Sequence, residues 1–184
     1  MKKIMMVAIV LIASVVSYGQ QKTETPVKVE TKFEQFSSKY GTIVRFTDYA
    51  VDNLKRKYQS GTAVIRKVTS GNNESRYYFK VTNESQYSTS TAMVEYTDVL
   101  EILKAITVLK QSEISDVTNP NYCENKFRTS DGFEIGYFSS GGKTSWYLQL
   151  EKFGRDNTIY PSGTSSDIEQ VFINAKNKIE ELKK

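Results

Sequence analysis

Beyond Phe33, most of the chain alternates between apolar and polar residues with a period of two, and its apolar positions are rich in β-branched and aromatic side chains. Such alternation is typical of half-buried β-strands, because successive side chains of a strand point to opposite faces of the sheet. Clusters of turn-forming residues separate the alternating segments. The pattern predicts seven or eight strands, within Ile43–Tyr49, Thr62–Thr69, Tyr77–Thr82, Thr91–Tyr96, Asn125–Thr129, Phe133–Ser139, Ser145–Phe153 and a short segment near Thr158–Tyr160.

Two further segments repeat their apolar residues at helical spacing. The first spans about 98–111, where Asp98 and the glutamate three positions later have the spacing of a capping box. It is apolar over more than one face, which predicts deep burial. The second spans about 166–182, begins with a similar box at Ser166, and has a single apolar stripe. We expect this second helix to lie on the surface with one side on the sheet.

Together these elements predict an α+β fold in which one antiparallel sheet of seven or eight strands carries two amphipathic helices. The order of strands followed by a helix occurs twice, in residues 33–113 and 121–184, without a repeat at the level of residues. We therefore predict a single domain over residues 33–184, with division into these two halves as an alternative.

Glycine-containing turns fix the expected register of the later strands. A two-residue turn at Gly141–Gly142 and a three-residue loop with Gly132 at positive φ keep the apolar side chains on one face. The predicted opposite pairs are Tyr137 with Trp146 and Phe127 with Ile135.

The N-terminal residues are typical of a bacterial secretory signal peptide. Lys2 and Lys3 precede the run Ile4–Val16, which is shorter than the roughly 20 apolar residues of a membrane-spanning helix. Small residues at positions −3 and −1 predict cleavage between Gly19 and Gln20. We expect a mature protein without a membrane span, in the periplasm or outside the cell; an uncleaved membrane anchor is the alternative.

Residues 20–32 consist mainly of Gln, Lys, Thr and Glu around one proline and contain only two aliphatic side chains. Such a segment buries too little apolar surface to offset the entropy of ordering. The composition predicts a flexible tether between the leader and the domain.

Composition also excludes several classes of function. The 184 residues include no histidine and a single cysteine, Cys123, so the chain has no Ser-His-Asp or Cys-His catalysis, histidine-ligated metal or internal disulfide. A buried thiol or an intermolecular disulfide is expected for Cys123. Two of the lysines behind the net charge of +4 belong to the leader. The chain has no block of Lys or Arg of the kind that would indicate nucleic-acid binding. We predict no cofactor, no metal and no catalytic residue.

Motifs that resemble known sites are better explained as turns. Gly142-Lys143-Thr144 ends like a phosphate-binding loop, but it lacks the earlier glycine and joins two strands. Asp131-Gly132 and Asp156-Asn157 lack the density of acids and amides found in calcium loops.

Paired carboxylates are the remaining catalytic possibility, because Asp and Glu alone can hydrolyse glycosides. Glu95, Glu134 and Glu151 lie on predicted strands whose alternation points them away from the apolar face. We expect these acids to be solvated and therefore poor proton donors at neutral pH.

The polar face of the sheet is the candidate binding surface, since tyrosines interleaved with hydrogen-bonding and charged groups suit recognition. Strand preference for Tyr and Thr, or a helix covering this face, would explain the same pattern without a ligand. The candidate residues are Arg45, Tyr49, Tyr78, Lys80, Tyr147 and Gln149.

From these features we expect a secreted or periplasmic, non-enzymatic module that binds or scaffolds an envelope protein, a peptide or a glycan. The alternatives are a small carboxylate-dependent hydrolase of the cell envelope and a purely structural envelope protein.

The leader generates a direct test. When the full chain is expressed in a bacterium, the intact mass of the protein in the periplasm or medium is expected to correspond to a chain that begins at Gln20. Recovery of a membrane-bound chain that still begins at Met1 would contradict cleavage and support the anchor.

Overall fold

The computed structural model describes residues 30–51, 62–151 and 157–184. The predicted leader, 1–19, and most of the predicted tether, 20–32, lie outside the described residues. In chain order the elements are α1 (Lys32–Ser37), β1 (Arg45–Ala50), β2 (Ala63–Thr69), β3 (Ser75–Glu84), β4 (Thr89–Glu95), α2 (Tyr96–Asp116), β5 (Cys123–Arg128), β6 (Glu134–Ser140), β7 (Lys143–Gln149), β8 (Thr158–Ile159) and α3 (Ser165–Leu182).

The strands form two antiparallel four-stranded sheets, in the orders β1-β2-β3-β4 and β5-β6-β7-β8. The α+β class and the antiparallel pairing are confirmed, but the prediction of one sheet of seven or eight strands is wrong. The sheets stay separate because α2 begins directly after β4 and carries the chain away before β5. At the edge of β4, the backbone N–H of Thr91 donates to the Glu151 carboxylate at 3.0 Å, so a side chain occupies a position that a neighbouring strand would take.

Both predicted turns of the second sheet are confirmed. Gly141 and Gly142 have φ values of 58° and 74°, and Gly132 has a φ of 93°, a region that L side chains rarely adopt. The positive φ values at the double glycine match the twist of the strands that it connects. The observed pairs are Tyr137 with Trp146 and Phe127 with Ile135, as predicted.

Both predicted helices are present, but their predicted starts are wrong. The capping box at Asp98 is not formed: the N-cap of α2 is Glu95, which makes no side-chain capping bond. In α3 the box consists of Thr164 and Asp167 instead of beginning at Ser166. Among the described helices, none is both long enough and apolar enough to cross a membrane.

A single apolar core joins the two sheets. The ring of Phe172 on α3 lies 5.5 Å from that of Phe79 on β3 and 6.3 Å from that of Phe133, which precedes β6. Helix α2 contributes its buried stripe to the same cluster, so the two halves share one interior. Other fully buried members are Ile65, Val81, Val99, Ile102, Ile106, Ile135, Tyr137, Leu148 and Ile179.

Helix α1 is missing from the sequence-based prediction, which assigns its residues to the tether and to the start of the strand region. Its N-terminus is a capping box: the amide of Glu34 donates to Thr31 Oγ1 at 3.1 Å, and the Glu34 carboxylate accepts from the Thr31 amide at 2.9 Å. Phe36, only 2% exposed, packs against Val68 and Tyr78 on the first sheet. The short helix therefore covers part of the sheet face opposite the core.

Lys32 fastens α1 to both halves of the chain. Its amide donates to Asp131 Oδ2 at 3.0 Å, in the turn between β5 and β6. Its ammonium donates to Asp98 Oδ1 at 2.5 Å, and Glu95 Oε2 lies 3.9 Å away. The buried carboxylate of Asp98, which the sequence assigns to a helix cap, is instead the partner of this cation.

The packing of α1 can be tested with Phe36→Ala. Removing this buried ring is expected to lower the free energy of unfolding by about 3 kcal/mol, measured by chemical denaturation, because a cavity replaces its contacts. Phe46→Ala, on the same face but 48% exposed, is the matched control and is expected to cost about 1 kcal/mol. Equal losses for the two variants would contradict the proposed packing of α1.

Candidate functional site

The face of the second sheet opposite the core forms a surface of aromatic and charged side chains, which we call the outer surface. Strand alternation explains its composition, because residues with one parity enter the core and those with the other parity face outward. Tyr122 and Tyr160 extend this surface just beyond β5 and β8. The aromatic, charged and amide side chains of the outer surface are those of Tyr122, Glu124, Lys126, Arg128, Glu134, Phe138, Lys143, Tyr147, Gln149 and Tyr160.

Glu124 is held between two tyrosines. The hydroxyl of Tyr147 donates to Glu124 Oε1 at 2.7 Å, and that of Tyr122 donates to Oε2 at 2.9 Å. The hydrogen bonds from Tyr147 and Tyr122 lower the pKa of the Glu124 carboxyl below its ordinary value. Burial, followed by the bond to Glu124, raises the pKa of Tyr147 above its ordinary value. At neutral pH the carboxylate is therefore charged and Tyr147 is a neutral donor.

Two tyrosine rings of this surface are open to solvent. Tyr122 is 61% exposed and stacks on Phe138, with ring centroids 6.2 Å apart and an interplanar angle of 21°. Because the hydroxyl of Tyr122 is also bonded to Glu124, both ends of its ring are fixed. Tyr160 is 55% exposed and follows β8, at the other edge of the same sheet. Tyr122 thus presents aromatic area with little rotamer freedom left to lose.

A buried carboxylate neutralises the cations of this surface. Glu134 is only 1% exposed and is bonded by the guanidinium of Arg128, while Lys126 Nζ lies 3.2 Å from Glu134 Oε2. The side chains of Lys126 and Arg128 themselves are nearly half exposed. The expectation that Glu134 is solvated is wrong, because the stems of these two long side chains shield it from water.

Gly136 allows β5 and β6 to approach closely beneath Tyr147. Tyr147 lies opposite Gly136 and its hydroxyl reaches Glu124 on β5, so its ring passes over the glycine. A Cβ at position 136 would lie 2.5 Å from the carbonyl oxygen of Asn125, a distance that side chains do not tolerate. The absence of a side chain here is therefore required for the close approach of β5 to β6.

The structure does not bring the six predicted site residues together. Tyr147 and Gln149 lie on the outer surface, where Tyr147 forms its floor and Gln149 Nε2 donates to the Glu151 carbonyl at 3.0 Å. Tyr78 and Lys80 lie on the face of the first sheet that α1 partly covers. The set is thus divided between two sheets.

Tyr78 is fully buried beneath α1 rather than open to a ligand. Its ring makes an edge contact with that of Phe33, and its hydroxyl donates to the Lys32 carbonyl at 3.4 Å. This burial raises the pKa of Tyr78 well above its ordinary value. The sequence leaves open whether the tyrosine-bearing face binds a ligand or is covered by a helix. At Tyr78 it is covered by a helix.

Arg45 and Tyr49 lie on the opposite face of the first sheet from Tyr78, so the prediction that they share one polar face is wrong. Tyr49 pairs with Ile65 and packs against the main core. The physical reason is Phe46, which faces outward and approaches Phe33 of α1 to 6.2 Å between ring centroids. When α1 is not taken into account, the apolar residue Phe46 indicates that its own face of β1 enters the core. That indication is wrong, because Phe46 faces α1 instead.

The other acids singled out from the sequence have structural partners. Glu95 accepts from Arg76 at 3.5 Å, and Glu151 accepts from the Thr91 amide. Cys123 is a partly buried free thiol. In the part of the chain that the structure describes, no group of three or more acids or cysteines could hold a metal ion.

Sequence reasoning missed Tyr122, Glu124, Phe138 and Tyr160 as members of the site. The signal was present, because each has the parity of Tyr147 once the confirmed register is extended across β5 and beyond β8. The prediction began β5 at Asn125, which excluded the first two of these residues from the sheet.

Comparisons with protein-family models, with curated proteins and with solved structures found no match to this chain.

The hydrogen bonds to Glu124 predict its titration. In a carbon-detected NMR titration, the Glu124 carboxyl is expected to titrate below the ordinary glutamate range, and Tyr147→Phe is expected to move its pKa back upward. Tyr122→Phe, which removes the other hydroxyl, is expected to give a smaller shift.

The lowered pKa of Glu124 also determines how stability depends on pH. The contribution of these bonds to stability is present above the unfolded-state pKa of Glu124 and is lost as the pH falls through its lower folded-state pKa. An unchanged Glu124 pKa in Tyr147→Phe would contradict the arrangement described for the outer surface.

Proposed function

We propose that this protein is an exported, non-enzymatic module that binds a partner of the cell envelope through the outer surface of its second sheet. The observation that carries the proposal is the pair of exposed tyrosine rings, Tyr122 and Tyr160, beside a preorganised network of hydrogen bonds. Rigid aromatic side chains contribute contact area at low cost in conformational entropy, which is why they dominate many binding surfaces.

A binding role is favoured over catalysis by the state of the carboxylates. Glu134 is paired with Arg128 and Lys126, and the acid cluster at the start of α2 is paired with Lys32. Hydrolysis by carboxylates requires one acid that donates a proton and a second that attacks or activates water, both facing the substrate.

Export is the part of the proposal that rests on the sequence alone. The lysine-led apolar leader and the polar tether after it support secretion to the periplasm or the medium. The polar segment would separate the folded domain from the leader until cleavage and would afterwards be the free N-terminal tail of the mature protein.

The proposal predicts that retention of an envelope partner depends on the two open tyrosines. With the mature protein immobilised, Tyr122→Ala and Tyr160→Ala are each expected to weaken retention of material from an envelope extract by about tenfold, because a central aromatic contact contributes more than about 1 kcal/mol. Retention is measured by washing at increasing dilution and quantifying protein and carbohydrate in the eluate.

The chain offers matched controls for this experiment. Tyr40 and Tyr87 are also strongly exposed tyrosines, but they lie in loops next to the first sheet. Tyr40→Ala and Tyr87→Ala are expected to retain the partner as the unaltered protein does. Equal loss in both pairs of variants, or no retained material at all, would count against the outer surface as a binding site.

A further inference from the structure

We infer that the ligand of the outer surface is an uncharged glycan chain, which it would recognise by stacking sugar rings on Tyr122 and Tyr160. The inference rests on the function proposed above and specifies the chemical class of the partner. A pyranose has one or two apolar faces of C–H groups and a rim of hydroxyls, so it needs a flat apolar platform with hydrogen-bonding groups beside it.

The position of the tyrosines on a sheet face argues against an extended peptide. Backbone N–H and C=O groups lie in the plane of a sheet and are used in its ladders, so a face presents side chains alone. Peptides that bind through their own backbone add to a strand edge instead. A ligand for this face must therefore be recognised through side-chain chemistry.

The platform itself is provided by the ring of Tyr122. Stacking on Phe138 and the hydroxyl bond to Glu124 fix the ring, while 61% of the residue stays in water. Tyr160 offers a second exposed ring beside β8, whereas Tyr122 precedes β5, so the two rings lie at opposite edges of the same sheet face. A ligand that contacts both rings must cross the sheet, which favours an oligosaccharide over a single sugar.

The charges of the outer surface favour a neutral ligand. Its two anions, Glu124 and Glu134, balance Lys126 and Arg128, which leaves Lys143, beside the glycine turn, as one further exposed cation among the described residues. Both cations are already paired with the buried Glu134, so an anionic polymer would have to compete with an internal partner. Because the two buried-carboxylate pairs are neutralised internally, Lys143 is left as the main source of net charge, and the field that could attract a charged chain is weak.

The same groups still have hydrogen-bonding capacity for hydroxyls. Arg128 has five N–H donors and Lys126 has three, and their side chains are nearly half exposed. Each carboxylate oxygen of Glu124 accepts one tyrosine hydroxyl and has a second lone pair. Vicinal hydroxyls of a sugar, which both donate and accept, can bind to this mixture.

The test is an array of neutral hexasaccharides of glucose, N-acetylglucosamine, mannose and xylose, with polygalacturonate and decaproline as rival probes. At least one neutral hexasaccharide is expected to bind the mature protein, about tenfold more weakly in Tyr122→Ala and in Tyr160→Ala, and with unchanged affinity in Tyr40→Ala and Tyr87→Ala. The affinity is expected to stay the same from about 0.05 to about 0.5 M NaCl, since no ion pair forms.

The outcomes separate this inference from the proposed function. Binding of decaproline or polygalacturonate but no neutral saccharide, with loss in Tyr122→Ala, would overturn the glycan and leave a binding surface. Retention from the envelope extract that depends on Tyr122, without any binding on the array, would also overturn the glycan alone. If neither the array nor the extract shows dependence on Tyr122 or Tyr160, both proposals fail.

Discussion

The fold depends on the packing of Phe172 between the two sheets. Its ring packs against Phe79 in the first sheet and against Phe133 just before β6 of the second, so one residue of α3 closes the interior of both halves. Each sheet on its own is a four-stranded meander with one apolar face, and neither could bury that face without the helices. The shared core explains why the chain needs both halves to form one interior.

Each sheet packs one face against the core and has a second face that points away from it. These two outer faces differ in how far they are covered. The face of the first sheet is partly covered by α1, with Phe36 over Val68 and Tyr78. On the second sheet, the equivalent face carries two tyrosines that are more than half exposed. This difference, rather than any single residue type, identifies the outer surface as the place where a partner would bind.

Period-two alternation was sufficient to predict the strands of the described residues, but it did not always give the buried face: β1 has no fully buried residue, and β3 is buried on both faces. Hairpin register was also predictable where Gly132 and the double glycine set the turn geometry. The division into two sheets could not be predicted, because the alternation of apolar and polar residues in β4 and β5 does not indicate whether these two strands pair with each other. Only part of the site could be predicted, since Tyr147 was identified but its neighbours on β5 were not. The short α1 has too few apolar residues to give a periodic signal. Because α1 was not predicted, Tyr49 was assigned to the wrong face of the first sheet.

The bond between the Lys32 amide and Asp131 joins positions 99 residues apart in the chain. Such a contact has a high loop-closure entropy and can form only after the turn between β5 and β6 exists. The hydrogen bond between α1 and this turn is therefore among the last to form, although α1 is synthesised before the strands of both sheets. Phe36 can cover Val68 and Tyr78 using the first half of the chain alone, so it is the bond to Asp131 that makes the final position of α1 depend on the second half.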